Sequence, residues 1–93
     1  MSEYTSLDTS MRLAKAGFIE TSDDRYAIVG TDAYRSDTLI NWLLNKGVGV
    51  YIDKKNGVDY VYPYGADAKS VTAANLPNAL AEVILQVLGV KRA

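Results

Sequence analysis

Apolar side chains recur with helical spacing over residues 76–88, the most strongly aliphatic stretch of the chain. At about 3.6 residues per turn, these positions cover well over half of the surface of a helix. A narrow polar stripe remains, and it is formed by residues spaced by four: Asn78, Glu82 and Gln86. The pattern predicts a helix that needs cover on two sides, from a sheet and from a second helix or another copy of the chain.

Two shorter amphipathic segments predict helices over residues 7–16 and 37–46. Gly17 follows the first and Gly47 the second, and glycine readily adopts the left-handed conformation in which many helices end. Trp42 extends the apolar face of the second helix. We expect its ring to pack between that helix and the sheet.

Alternating apolar and polar residues in two runs, 48–55 and 58–64, predict a β-hairpin whose strands lie within these runs. Asn56 and Gly57 separate the two runs, and this dipeptide suits a tight turn in which both central residues have positive φ. Pro63 has no N–H to donate to a ladder. We therefore expect the second strand to end at Pro63 or to lie at an edge.

The register that a two-residue turn imposes gives the hairpin two unlike faces. One face is aliphatic, with Val50, Ile52 and Val61, and is expected to cover one side of the last helix. The other face is aromatic and carries Tyr51, Tyr60 and Tyr62.

The remaining segments complete an α+β domain in the order α-β-α-β-β-α. A short strand is expected over residues 25–29, with loops over residues 30–35 and 65–75. Helices and strands do not alternate strictly, which favours a small, mostly antiparallel sheet packed against three helices. The length of 93 residues is that of a single small domain, spanning residues 1–93.

Composition excludes several kinds of chemistry. The chain has no cysteine and no histidine, so it lacks the commonest general base and the commonest transition-metal ligands. A net charge of −1 with scattered lysines and arginines offers no patch for a nucleic acid. The polar N-terminus is unlike a secretory signal, and no apolar run is long enough to span a membrane. We expect a cytoplasmic protein without catalytic residues, metal or cofactor.

Acidic residues offer the alternative of a small metal-dependent hydrolase or nuclease. The hairpin register points Asp53 and Asp59 to opposite faces, which argues against a catalytic pair. No ligand spacing typical of a metal-binding loop occurs. Solvated turn and helix-cap charges are the interpretation that we favour for the other candidates, Asp23, Asp24, Asp32 and Asp37.

Three segments of the chain form a pattern in order and spacing: T-S-L-D-T-S-M-R-L-A-K-A-G-F at 5–18, D-T-L-I-N-W-L at 37–43 and N-L-P-N-A-L-A-E-V-I-L-Q-V-L at 75–88. This pattern resembles that of a family of small, uncharacterised proteins encoded by phages and prophages. The chain departs from the family pattern between Gly30 and Ser36, where T-D-A-Y-R stands in place of proline-rich sequence. The resemblance implies an accessory protein in a bacterial cytoplasm and carries over no functional residue.

Tyrosine is the one unusual feature of the composition, with seven residues against one phenylalanine and one tryptophan. A tyrosine hydroxyl needs a partner or water, so we do not expect the whole set to be buried. Tyr51, Tyr60 and Tyr62 form either a half-exposed sheet surface or a contact patch. The second interpretation predicts a non-enzymatic module that binds a phage or host protein, or a second copy of itself, through these tyrosines or through the spare side of the last helix.

Overall fold

Three helices and five strands make up the part of the chain that the structure, a computed structural model, describes. The described residues are 4–18, 26–28, 31–65, 67–73 and 75–89. In chain order the elements are α1 (Leu7–Lys15), β1 (Tyr26–Ile28), β2 (Thr31–Ala33), α2 (Ser36–Asn45), β3 (Gly49–Lys55), β4 (Val58–Tyr64), β5 (Val71–Ala73) and α3 (Leu76–Val87). All strand pairs are antiparallel, which confirms the α+β class.

The three helices lie within one residue of their predicted bounds. Capping side chains explain where two of the helices, α1 and α3, begin. The Ser6 hydroxyl accepts a hydrogen bond from the Thr9 N–H at 3.3 Å, and Oδ1 of Asn75 accepts one from the Asn78 N–H at 2.8 Å. Each bond satisfies a backbone donor that the helix itself leaves free.

The hairpin of β3 and β4 has the predicted turn and register. Asn56 has φ of 52° and Gly57 of 78°, so both central residues adopt the positive φ that a type I′ turn needs. Tyr51 lies opposite Tyr62. The period of two along each strand then separates an aliphatic face from an aromatic face.

The prediction that β4 ends at Pro63 or lies at an edge was wrong. β4 runs on to Tyr64 and is the central strand of the order β3-β4-β5. The ladder between β4 and β5 stops at the pair of Val61 and Val71, so Pro63 lies beyond the end of β5. Its missing N–H therefore costs no hydrogen bond to that neighbour.

Two short strands replace predicted loops, so the predicted element order was incomplete. β2 lies within 30–35 and pairs with β1, and β5 lies within 65–75 and pairs with β4. The ends of the strand predicted over 25–29, Arg25 and Val29, lie outside the described residues.

Tertiary hydrogen bonds tie the chain next to β2 to the start of α1. The Thr5 N–H donates to the Tyr34 carbonyl at 2.9 Å, and the Tyr34 N–H donates to the Thr5 hydroxyl at 3.1 Å. The buried Thr5 and Ser10 hydroxyls bond each other at 2.7 Å. This part of the chain is held by long-range contacts, which a local sequence pattern does not reveal.

α3 is the centre of the core and packs against β4, β5, α1 and α2. Leu80, Val83 and Ile84 are fully buried on it, and Val61 of β4 is fully buried in the sheet. The expectation that Ile52 covers α3 was wrong, because α3 lies over β4 and β5 and Ile52 remains 36% exposed.

The polar stripe of α3 is a second packing surface. Asn78 Oδ1 accepts the Ser6 N–H at 2.9 Å, next to the start of α1. Glu82 binds the Arg12 guanidinium through both carboxylate oxygens, and this hydrogen bonding raises the pKa of Arg12 above its ordinary value. The Gln86 amide accepts the Lys69 N–H at 2.9 Å and donates to the Lys69 carbonyl at 3.1 Å.

We predict that Gly57→Val lowers the free energy of unfolding by about 1–2 kcal/mol, because a β-branched residue resists positive φ. No atom lies within 4 Å of the position that a Cβ would take, so the loss reports the backbone conformation alone. Gly57→Asn is the control, because asparagine tolerates this region. Thermal melts of both variants beside the parent check the turn, and equal melting temperatures for Val and Asn would contradict it.

We also predict that Glu82→Ala destabilises the protein by about 1–2 kcal/mol, since it removes a paired, half-buried acceptor of Arg12. Asp8→Ala is the control and should cost about 0.5 kcal/mol or less, because exposed Asp8 acts on Arg12 through charge. Urea unfolding measures both. Equal losses would show that the Arg12 contact with α3 contributes no more than a surface ion pair.

Candidate functional site

The outer side of the three-stranded sheet carries four aromatic side chains, Tyr51, Tyr60, Tyr62 and Tyr64, which we name the tyrosine face. The ladder register places all four on one side, and Val61 and Val71 alternate to the opposite side, which α3 covers. Tyr51 is 62% exposed, Tyr62 36% and Tyr64 63%, and Tyr60 is half-buried.

The rings of the tyrosine face contact one another. The Tyr51 and Tyr62 centroids, which face each other across the two strands, lie 5.9 Å apart at an angle of 43°. Tyr60 and Tyr62 follow one another along β4, with centroids 6.4 Å apart and ring planes within 12°. Both distances lie in the range of favourable aromatic pairs. The rings therefore support one another in a shared layer, which restricts the side-chain freedom of each.

The sequence prediction placed Tyr51, Tyr60 and Tyr62 together, as the structure does, but left out Tyr64. The cause was the interpretation of Pro63 as the end of the strand. Extending the same register by one pair sets Tyr64 opposite Gly49, on the aromatic side. The Tyr64 ring lies directly over Gly49, because a Cβ built there would lie only 2.6 Å from the Tyr64 hydroxyl oxygen. Because glycine has no Cβ, the Tyr64 ring has room to lie over this position.

Charged side chains border the tyrosine face at the turn. Lys55 Nζ lies 5.8 Å from the centroid of the Tyr60 ring, within reach of a cation–π contact. Lys55 Nζ is also 3.7 Å from Oδ2 of Asp53, the residue opposite Tyr60 in the ladder. The face thus combines apolar ring area, tyrosine hydroxyls and a charged rim.

The acidic candidates do not come together in the described structure. Asp53 and Asp59 lie on opposite faces, as the register predicts, and buried Asp59 pairs with Lys54 Nζ at 3.4 Å. Exposed Asp37 accepts the N–H of its neighbour Thr38 at 3.0 Å. Within the described residues, no group of three His, Cys, Asp or Glu side chains could hold a metal ion. Asp23 and Asp24 lie outside those residues, and the side chain of Asp32 is not among those described.

Three other aromatic residues, Phe18, Tyr34 and Trp42, belong to the core or pack against it. Buried Tyr34 meets the Phe18 ring edge to face, with centroids 4.9 Å apart. Trp42 lies 5.4 Å from Phe18 and packs, half-buried, against the core. Trp42 therefore contributes to the core, as predicted, through contact with the Phe18 ring, and Lys46 Nζ lies 5.4 Å from the centroid of the Trp42 ring. The expected position between α2 and the sheet stays a prediction.

Neither the family models, nor the curated proteins, nor the solved structures compared with this chain give a match. The resemblance to phage-encoded proteins stays a prediction. Among the helices of the described segments, none has the length and apolar character needed to cross a membrane.

We predict that Gly49→Ala displaces the Tyr64 ring while β3 and β4 stay paired. The new Cβ would lie 2.3 Å from Cζ of Tyr64, at the outer end of an exposed side chain that can rotate away. Nuclear Overhauser contacts between the Tyr64 ring and residue 49 should disappear, and those across the pair of Tyr51 and Tyr62 should persist. Retention of the first set would contradict the position of Tyr64 in the tyrosine face.

Proposed function

We propose that this protein is a non-enzymatic interaction module whose tyrosine face binds a partner protein. The observation that carries the proposal is the open aromatic layer on the sheet. Three of its tyrosines, Tyr51, Tyr62 and Tyr64, are each at least 36% exposed on a face that no described helix covers. A contiguous apolar patch that a small domain leaves open is typical of an interaction site.

The chemistry of the rings favours a protein as the partner. Tyrosine buries a large, rigid area with little loss of side-chain freedom, and its hydroxyl keeps a hydrogen bond at the rim. Such residues are enriched in the energetically dominant parts of protein interfaces. The rigid strands beneath the rings hold this area in place before binding, so the partner meets a surface that is already ordered.

The charges around the tyrosine face indicate which forces are expected to dominate partner binding. Lys55 and Asp53 neutralise one another at the turn end, and the chain as a whole carries a net charge of −1. Long-range steering by charge is therefore weak. We expect ring burial and hydroxyl hydrogen bonds to dominate recognition, with binding that depends little on salt concentration.

The cellular setting is also a proposal, and the family resemblance supports it. The segments at 5–18, 37–43 and 75–88 suggest a phage or prophage accessory protein in the cytoplasm of a bacterial host. The partner is then a phage or host protein. The alternative of a small metal-dependent hydrolase or nuclease gains no support from the arrangement of the described carboxylates.

Replacing Tyr60 and Tyr62 together with threonine tests the proposal. Threonine keeps strand propensity, so the sheet should persist while most of the ring layer on β4 is lost. Affinity capture from infected or lysogenic cells with the parent chain should yield a partner that the double variant fails to retain, with binding weakened at least about tenfold in a purified assay.

The matched control replaces Met11 and Leu44 together with serine. These side chains are 54% and 56% exposed and lie on α1 and α2, not on the strands that carry the tyrosine face. The control removes a comparable exposed apolar area and should bind like the parent. Undiminished capture by the tyrosine variant, with a melting curve like that of the parent, would contradict the proposal. Equal loss in both variants would do so as well.

A further inference from the structure

The outer edge of β3 is the longest unpaired backbone in the described sheet. β3 has seven residues, Gly49–Lys55, and within the described residues it pairs with β4 alone. The opposite edge, β5, has three residues. The chain just before β5 is held by the Gln86 amide, which takes both the N–H and the carbonyl of Lys69. An edge as long as that of β3 is a template for another strand.

The turn determines which backbone groups of β3 point outward. In a two-residue hairpin the residues flanking the turn, here Lys55 and Val58, exchange hydrogen bonds, and bonded pairs then alternate along the ladder. The N–H and carbonyl groups of Val50, Ile52 and Lys54 consequently face away from β4. The Lys54 N–H is bonded to Oδ1 of Asp53 at 2.9 Å, in agreement with this direction. Val50 and Ile52 keep open groups in the described part of the chain.

The side chains along the same stretch are apolar on both sides of the strand. Tyr51 is 62% exposed on the tyrosine face, and Ile52 is 36% exposed on the opposite face. Charge begins only at Asp53, and Lys54 and Lys55 follow it up to the turn. The edge thus has an apolar part with open backbone groups and a charged part whose donor is already bonded.

We propose that two copies of this chain pair through this edge, with β3 antiparallel to β3 and Tyr51 on the two-fold axis. Val50 of each copy then lies opposite Ile52 of the other, and the outward groups of these residues bond one another. The two Tyr51 rings meet at a non-bonded position, where side chains approach most closely. All open groups of Val50 and Ile52 are used.

Other registers between the two copies pair the outward backbone groups of β3 less completely or bring like charges together. Placing Ile52 on the axis would set Val50 opposite Lys54, whose N–H is already bonded to Asp53. Placing Asp53 on the axis would set two like charges directly opposite each other. In the register with Tyr51 on the axis, Lys54 and Lys55 lie outside the hydrogen-bonded pairs. The two lysines therefore end the pairing between the copies without preventing it.

The proposed register also brings complementary polar groups together. Asp53 of one copy lies opposite Gly49 of the other, and the Tyr64 ring of that copy covers Gly49, with its hydroxyl reaching β3. The Asp53 carboxylate can accept a hydrogen bond from this hydroxyl, twice by symmetry. The product is one sheet of six strands, three from each copy, on which the two tyrosine faces form a single surface. The inference rests on the edge and does not depend on the proposed function.

Ile52→Pro tests the pairing without removing a bond to β4. Proline is tolerated at an outward N–H of an edge strand, so the fold should persist, while each copy loses one donor to the other. Sedimentation velocity over a range of concentrations should show dimers of the parent and a dissociation constant raised at least about tenfold in the variant. Ile52→Lys, which keeps the N–H and adds a charge beside Val50 of the other copy, should weaken the dimer as well.

Thr72→Pro is the matched control. Thr72 lies between the bonded positions of β5, and its N–H points to the other edge of the same sheet. This variant should dimerise like the parent, and so should the variant with threonine at positions 60 and 62. Loss of dimers in that tyrosine variant but not in Ile52→Pro would place the contact on the tyrosine face and overturn the inference. It would leave partner binding there as a separate question.

Amide hydrogen exchange supplies the second readout. The Val50 and Ile52 amides should exchange quickly in dilute monomer and slow down as the concentration rises. The Thr72 amide should show no such dependence. A parent that stays monomeric at every concentration would overturn the inference. So would Val50 and Ile52 amides that are already protected in the monomer, because another part of the same chain would then cover the edge.

Discussion

The rest of the structure depends on one constraint, which is that neighbouring helices and strands must bury the wide apolar surface of α3. Its apolar surface is wider than one sheet can bury, so α1, α2, β4 and β5 all pack against it. Hydrophobic burial is non-directional and does not by itself fix how the neighbouring segments are placed against α3. The hydrogen bonds of the polar stripe supply this direction. Asn78, Glu82 and Gln86 bond Ser6, Arg12 and Lys69, which lie in two parts of the chain, α1 with its N-cap and the segment before β5. The stripe therefore holds α1 and the chain before β5 in register with α3.

The same constraint explains why one side of the sheet remains open. The helices described here gather around α3, so the sheet buries the face that carries Val61 and Val71. Period-two alternation then sends the tyrosines outward. An outward tyrosine is stable in water because its hydroxyl is solvated, whereas a phenylalanine in its place would expose a wholly apolar ring. The hairpin thus contributes to the core on one side and leaves an aromatic surface open on the other.

Local signals in the sequence were enough to predict the three helices, the turn at Asn56 and Gly57, and the shared face of three tyrosines. β2 and β5 could not be predicted, since each has three residues and its pairing depends on distant contacts. The exposure of Ile52 followed from the missed β5, which shifts α3 away from β3. Tyr64 was missed because Pro63 was given too much weight, although a proline beyond the end of the neighbouring strand breaks no ladder.

The central claim is that the sheet has an open aromatic face and is covered by helices on its other side. The most direct test of this claim is the solvent accessibility of the individual tyrosine rings. Photochemically induced nuclear polarisation with a flavin dye marks the rings that solvent reaches in dilute monomer. The account predicts strong signals from Tyr51 and Tyr64 and none from Tyr34, which is 5% exposed. Tyr51 and Tyr64 rings as silent as Tyr34 would contradict it, because the face would then be part of a core.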